Sequence, residues 1–315
     1  MRVFALRALF SIVSSSRHAT TVADAVRSAN IPVLGVVHRD EQLTLATRHL
    51  GLIDPADSAS VRVYAALAQT VERAIDLDAL VALASNVTPF AFEPVARMHQ
   101  SATAVRVAIA RDEAFWFYDE SSLEAFVDAG AELIAFSPLR DPFPSVDAAI
   151  IGGGYPELHA AALAANRSAR DPLQAAIHSG MPVYAECGGL MYLSRGLEVG
   201  DDVHPMVGAI PAISTMSARR SALRYVEATS VHDGPIFAAG QMVRGHEFHY
   251  STTRFECDAP AFAIDESMEG FADSNVHASY VHVHLSAHRS AINRFLSRAR
   301  TYASRAHSGA FAGSR

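Results

Sequence analysis

Lysine is missing from this sequence: all 26 of its basic residues are arginines. That excludes a Schiff-base lysine, a biotinyl lysine and the lysine of a phosphate-binding P-loop. It also fits a GC-rich genome, because arginine codons are GC-rich. Cysteine is scarce as well. Only Cys187 and Cys257 occur, which excludes a disulfide scaffold and makes a reducing compartment the expectation. No apolar run reaches the roughly 18 residues of a bilayer-spanning helix, so no membrane span is expected. Positive charge is in deficit, and a formal net charge of −7 argues against nucleic acid as a partner. What is present is apolar. With 50% hydrophobic and 19% charged residues the chain is not disordered, and at roughly 100–200 residues per domain its length predicts about two domains.

Residues 1–23 contain no acid and combine Arg2, Arg7 and Arg17 with a serine cluster at Ser14 to Ser16, a composition faintly like a targeting segment. The apolar run over residues 8–13 is short and no cleavage pattern follows, so the altered start of a globular domain is the expectation. A helix over 19–29 then leads into an all-apolar strand at 31–37, the repeating unit of a parallel α/β sheet. Residues 59–84 read as one or two helices, and 85–104, with Pro89 and Pro94, as a linker. A second alternation follows: strand 105–110, helix 121–129, strand 132–137, strand 148–151 ending in Gly152 to Gly154, helix 169–179 and strand 182–186. Shorter strands at 248–252 and 279–285 precede a terminal helix near 287–304, and residues from 306 are expected to fray.

One segment carries chemistry. Cys187 directly follows a buried strand and precedes Gly188, Gly189 and an apolar helical run. A nucleophile there stands on a sharp strand-to-helix turn, where helix amides favour a thiolate and can hold an oxyanion. The same position also suits an inert, buried cysteine. A nucleophilic cysteine needs a base, and Tyr280, His282 and His284 alternate along one expected strand, which puts both histidines on one face. A His-x-His pair is equally a metal-chelating geometry, with His246, His249 and His288 as further ligands, or ordinary packing. Gly152 to Gly154 after a strand offers a second set of oxyanion donors. Arg244 to Tyr250, with Arg219, Arg220 and Arg224, presents guanidinium forks suited to carboxylates, or simply a solvated face.

Taken in order, the segments SPLRD (137–141), GGGYPELHA (152–160), AECGGLMYL (185–193), RGHEFHYS (244–251) and ASYVHVHL (278–285) resemble the cobyrinic and hydrogenobyrinic acid a,c-diamide synthases. PVLGVVHRD (32–40), RHLGL (48–52) and ARDEAFWFY (110–118) fit the same family, so the resemblance runs from about residue 17 to 300. It implies an α/β fold: a class I glutamine amidotransferase-like domain with a largely parallel sheet over 105–305, preceded by the truncated end of a P-loop-type ATP-dependent domain over 1–90. A linker at 91–104 and a flexible tail at 306–315 complete the expected organisation.

The resemblance also implies roles. Cys187 is the nucleophile toward glutamine. Gly188 with Gly153 or Gly154 forms the oxyanion hole. His282 is the preferred partner of Cys187, with His284 as the other candidate in a Cys–His dyad or with a further orienting group. Arg244, His246, Glu247, His249 and Tyr250 line the side of the cleft that faces a corrinoid polycarboxylate. No metal ligand is expected. The family's chemistry is amidation of the a and c acetate side chains of the corrin ring in cobalamin biosynthesis, with ATP and Mg2+, in the cytoplasm. Because the Walker lysine is absent here, ATP-driven amidation is expected to need a separately encoded ATPase domain or a homodimer partner, or the chain is a remnant. Two departures from the family pattern, Asp119 with Ser122 and Arg224 after Leu223, are expected to affect coupling between domains or substrate fit.

Overall fold

The computed structural model describes residues 9–44, 58–86 and 104–312, and divides the chain into two compact units, Met1–Val95 and Ala96–Arg315. The RHLGL segment, most of the expected linker and residues 1–8 and 313–315 lie outside the described residues.

The first unit holds β1 (Leu9–Val13), α1 (Ser16–Ser28), β2 (Val33–His38), α2 (Ser58–Ala74) and α3 (Leu77–Ser85). Most of the apolar run over 8–13 is therefore a strand, paired in parallel with β2. The serine cluster is the start of a helix, where the Ser15 side chain accepts a bond from the His18 amide and satisfies one of the orphan donors of α1. The long periodic segment is two helices, because Ile75 leaves the helix to bridge Gly35 and Asp76 caps α3 through the amide of Ala79.

The second unit runs β3 (Val105–Ala110), β4 (Phe115–Phe117), α4 (Glu120–Asp128), β5 (Ala131–Phe136), β6 (Ala148–Ile151), β7 (Gly153–Gly154), α5 (Ala160–Ala165), α6 (Arg167–His178), β8 (Val183–Glu186) and α7 (Gly188–Leu193). It continues with β9 (Ser194–Val199), β10 (Asp202–Pro205), β11 (Ile210–Met216), β12 (Ala222–Ser230), β13 (Met242–His249), β14 (Ser251–Phe255), β15 (Phe262–Ile264) and β16 (Ser267–Glu269). The last elements are β17 (Phe271–Ala272), β18 (Val276–Ser279), β19 (Val281–Val283) and α8 (Arg289–Ala312).

A six-stranded sheet in the order β17-β18-β8-β6-β3-β5 forms the centre, parallel throughout except for the β17–β18 edge. Its strands read as near-continuous apolar runs because both faces are covered. Strict alternation divides them: Ala108, Ala149, Ile151, Val183 and Ala185 face one core with α5, α6 and α7, whereas Val107, Ile109, Ile150 and Tyr184 face another with α4 and α8. The second core is closed by an antiparallel sheet, β16-β15-β12-β13-β19, which contributes Val226, Ala228, Val243, Phe262, Val281 and Val283. A four-stranded mixed sheet, β10-β9-β11-β14, closes the first.

Three expectations need correction. The segment 279–285 is not one strand. It leaves the parallel sheet at Ser279, passes Tyr280 and joins the antiparallel sheet as β19. The segment 248–252 is likewise divided at Tyr250 between β13 and β14, which lie in different sheets. The terminal helix runs past the expected fraying point to Ala312. Among the described residues, no helix is long and apolar enough to cross a membrane.

At Gly245 β13 and β19 leave no room for a side chain: a β-carbon there would lie 2.4 Å from the carbonyl oxygen of His282. Gly245→Ala must push the two strands apart, and we expect it to cost about 2 kcal/mol or more of stability. Denaturant unfolding of the variant checks this, and a loss within measurement error contradicts the packing.

Candidate active site

The parallel sheet delivers Cys187 at the carboxyl end of β8. Its backbone sits at φ 49°, ψ −102°, a conformation that side-chain-bearing residues rarely adopt. Two bonds hold it there. The Cys187 amide donates to Ser279 O at 2.7 Å, and the Met191 amide donates to Cys187 O at 3.2 Å as α7 begins. The thiol is buried, with Sγ 3.8 Å from Phe248 O.

The glycine run packs directly against this turn. A β-carbon on Gly189 would lie 2.2 Å from Ile151 O, and one on Gly188 would lie 3.0 Å from Pro156 Cδ and 3.3 Å from the Gly154 nitrogen, so the two glycine segments pack closely beside Pro156. β7 is held by pairing with β4 and by Tyr118, whose hydroxyl accepts from the Gly152 amide at 2.9 Å and donates to Ala110 O. Burial pushes the Tyr118 phenol well above its ordinary value, so it stays a neutral donor.

The antiparallel sheet delivers His282 from β19. Its ring is buried and lies within electrostatic reach of Cys187, with Nδ1 3.1 Å from Glu186 Oε2. A β-carbon on Gly153 would lie 2.8 Å from the ring's Cε1, so the glycine run also backs the histidine. Phe117 meets the ring edge-on at 5.0 Å between centroids, and His246, its cross-strand neighbour, stacks on it at 4.9 Å. Burial alone would depress the His282 pKa, but the bonds and charges of Cys187 and Glu186 outweigh it and raise it to about 10. The stacked His246 moves the other way, lowered by burial and by its charged neighbour.

Of the residues expected from sequence, Cys187, His282, Gly153, Gly154, Gly188 and His246 converge here. The others part company. His284 does not share a face with His282, because β19 ends at Val283. Its exposed ring turns to Asp119 Oδ2 at 3.2 Å and Ser286 Oγ at 3.3 Å. The two rings of the His-x-His segment therefore diverge, and among the described residues no three His, Cys, Asp or Glu side chains gather around a point where a metal ion would sit. Glu247 is buried and paired with Arg224 at 2.5 Å, so it faces the protein interior rather than a cleft. His249 stacks on Tyr280 at 3.8 Å and bonds Ser251 O, Tyr250 lies at the strand break beside Phe248, and Arg244 pairs with Glu227 on the outer face. The two departures from the family pattern have local structural roles: Asp119 caps α4 through Ser122, and Arg224 neutralises Glu247.

Sequence reasoning passed over Glu186, Tyr184, Phe117, Tyr118 and Glu269. Glu186 accepts from the Val283 amide at 3.1 Å and from Tyr184 OH at 2.5 Å besides touching His282. The available signal was a carboxylate in an otherwise apolar strand, two residues after a tyrosine and so on its face.

Residues 106–290 match the family model of the CobB/CobQ-like glutamine amidotransferase domain. The chain belongs to that family. Relatives include the cobyrinate a,c-diamide synthases of Gloeobacter violaceus, 38% identical over 91% of this chain and 64% of that protein, and of a Synechococcus strain, 40% identical over 90% and 65%. The cobyrinate a,c-diamide synthase of Salmonella typhimurium is 36% identical over 91% of this chain and 66% of its own length. This amidotransferase chain thus spans 64–66% of the length of these relatives.

Glu269 clamps the strand crossing that carries His282. Its carboxylate accepts from Ser279 Oγ at 2.5 Å and from the Tyr280 amide at 2.6 Å, and burial raises its pKa to about 7. A carboxyl raised in the folded state keeps a proton that the unfolded chain has lost, so its contribution turns against the fold as pH climbs from about 4.5 to about 7. Glu269→Gln keeps the shape without the charge. The variant's melting temperature relative to the parent should rise between about pH 5 and about pH 8, and a pH-independent difference contradicts this.

Proposed function

We propose that this chain carries the glutamine-hydrolysing activity of a cobyrinate a,c-diamide synthase. The observation that supports it most strongly is the meeting of Cys187 and His282 from two different sheets, backed on one side by the glycine run. Each of these groups falls within the family match.

In this reading the imidazolium of His282 stabilises negative charge on Cys187 Sγ. The sulfur attacks the side-chain carboxamide carbon of glutamine and forms a C–S bond. The amides of Gly188 and of Gly153 or Gly154 hold the tetrahedral oxyanion. His282 gives its proton to the departing nitrogen, ammonia leaves, and a γ-glutamyl thioester remains on Cys187. Neutral His282 then takes a proton from water, the resulting hydroxide attacks the thioester carbonyl, and glutamate departs as the sulfur recovers its charge. Tyr118 supports the oxyanion donors by fixing Gly152, and the strained Cys187 backbone keeps the sulfur raised toward the substrate.

The amidation that would consume the ammonia is proposed for the assembled synthase, acting on acetate side chains of a corrinoid in the cytoplasm, where both free cysteines stay reduced. For ATP and Mg2+ the residues in hand do not fit: these 315 residues contain no lysine to grip a triphosphate, and no ATP-dependent step is derived from them. The chain spans 64–66% of the length of these relatives, and in this reading the ATP-dependent step belongs to a P-loop ATPase part that works with these residues.

The test is release of glutamate and ammonia from glutamine by the purified chain, alone and with such an ATPase part supplied. Cys187→Ala should lower the rate at least about 1,000-fold while leaving the fold intact. Equal rates for parent and variant would overturn the proposal.

A further inference from the structure

The sheet-to-sheet meeting at the site is bridged by one carboxylate. Glu186 is the last residue of β8 and immediately precedes Cys187. Its Oε2 holds His282 Nδ1 at 3.1 Å, which leaves Nε2 as the ring nitrogen for the Cys187 thiol. Its Oε1 accepts from the Val283 amide at 3.1 Å and from Tyr184 OH at 2.5 Å. Three donors therefore fix the carboxylate's position, two of them from the residue pair that carries the imidazole. Burial raises the Tyr184 phenol far above its ordinary value, so Tyr184 remains a donor and cannot compete for the imidazole proton.

We propose that Glu186 is the third member of the catalytic group: a positioning residue that holds His282 in the Nδ1–H tautomer, orients Nε2 toward Cys187 and stabilises the imidazolium formed beside the sulfur. His284, the other candidate read from the sequence, turns to Asp119, and the orienting group is a carboxylate on the nucleophile's own strand. The proposal rests on the reading of Cys187 as nucleophile and adds to it a charge-dependent role for its neighbour. An ordinary buried carboxylate would only need to satisfy the Val283 amide and the Tyr184 hydroxyl, which a neutral amide oxygen can also do. The two roles differ in whether the negative charge matters.

Glu186→Gln separates them, because it keeps an acceptor for Val283 and Tyr184 but loses the charge beside Nδ1. Two readouts are needed. The first is alkylation of Cys187 by iodoacetamide against pH, made in a Cys257→Ser background because Cys257 is exposed; it requires neither glutamine nor an ATPase part. The onset of fast alkylation should move up by about one pH unit in Glu186→Gln. The second is glutamine hydrolysis, where kcat should fall at least about 100-fold with KM changed less than about threefold. Glu186→Asp, which retains the charge, should recover part of both. If Glu186→Gln does not fold, Tyr184→Phe removes one of the three donors without touching His282, and should shift the alkylation profile in the opposite direction by freeing charge density for the imidazole. An unshifted alkylation profile and a kcat within about threefold of the parent, with Cys187→Ala inactive, overturn the role of Glu186 and leave the nucleophile standing. Parent-like hydrolysis by Cys187→Ala overturns the nucleophile itself.

Discussion

The architecture depends on the passage of the chain from Ser279 through Tyr280 to Val281. On one side of it, Ser279 O accepts the Cys187 amide and fixes the turn that raises the thiol. On the other, β19 begins and places His282 beside its stacked neighbour His246. Tyr280 cannot belong to either ladder, and its amide is satisfied by Glu269. Its hydroxyl is shared between Ser251 and Thr253, and its face is covered by His249. The Tyr280 amide and hydroxyl thus both find partners before the second sheet begins, as a buried crossing requires. One end of this short segment fixes the elbow and the other carries the imidazole.

That arrangement explains what was legible in the sequence and what was not. The parallel sheet could be read because its strands are short apolar runs covered on both faces, and strands 105–110 and 148–151 were found with their observed bounds. The Cys187 elbow was legible because a strand, a cysteine and two glycines in succession have few other uses. The sheet change at Tyr280 was not. Alternation in 279–285 is unbroken in the sequence, and period-two patterning reports which side a residue faces, not which sheet it belongs to. From that one miss followed the pairing of His282 with His284 on a common face. Glu247 was misread for a related reason: in a stretch dense with polar groups, only the cross-strand pairing with Arg224 tells which alternate residues turn inward.

Charge at the site follows the same geometry. Glu186 and Glu269 are both carboxylates near the crossing, yet their surroundings push them toward different work. Glu269 meets one amide and one hydroxyl, and burial raises its pKa. Glu186 meets the His282 ring as well and, after Cys187, helps to raise that ring's pKa. A shielded negative charge is tolerated where a positive one is supplied to it, and an imidazolium at His282 would be such a partner beside the sulfur.

The separation of the two halves along the chain has a consequence for synthesis. Glu186 and His282 lie 96 residues apart, and the parallel core around the cysteine can form well before the last strand is available. Until β19 docks, the thiol has no imidazole and the elbow lacks the carbonyl of Ser279. A chain still emerging from the ribosome therefore holds the cysteine without the imidazole that meets it in the folded protein.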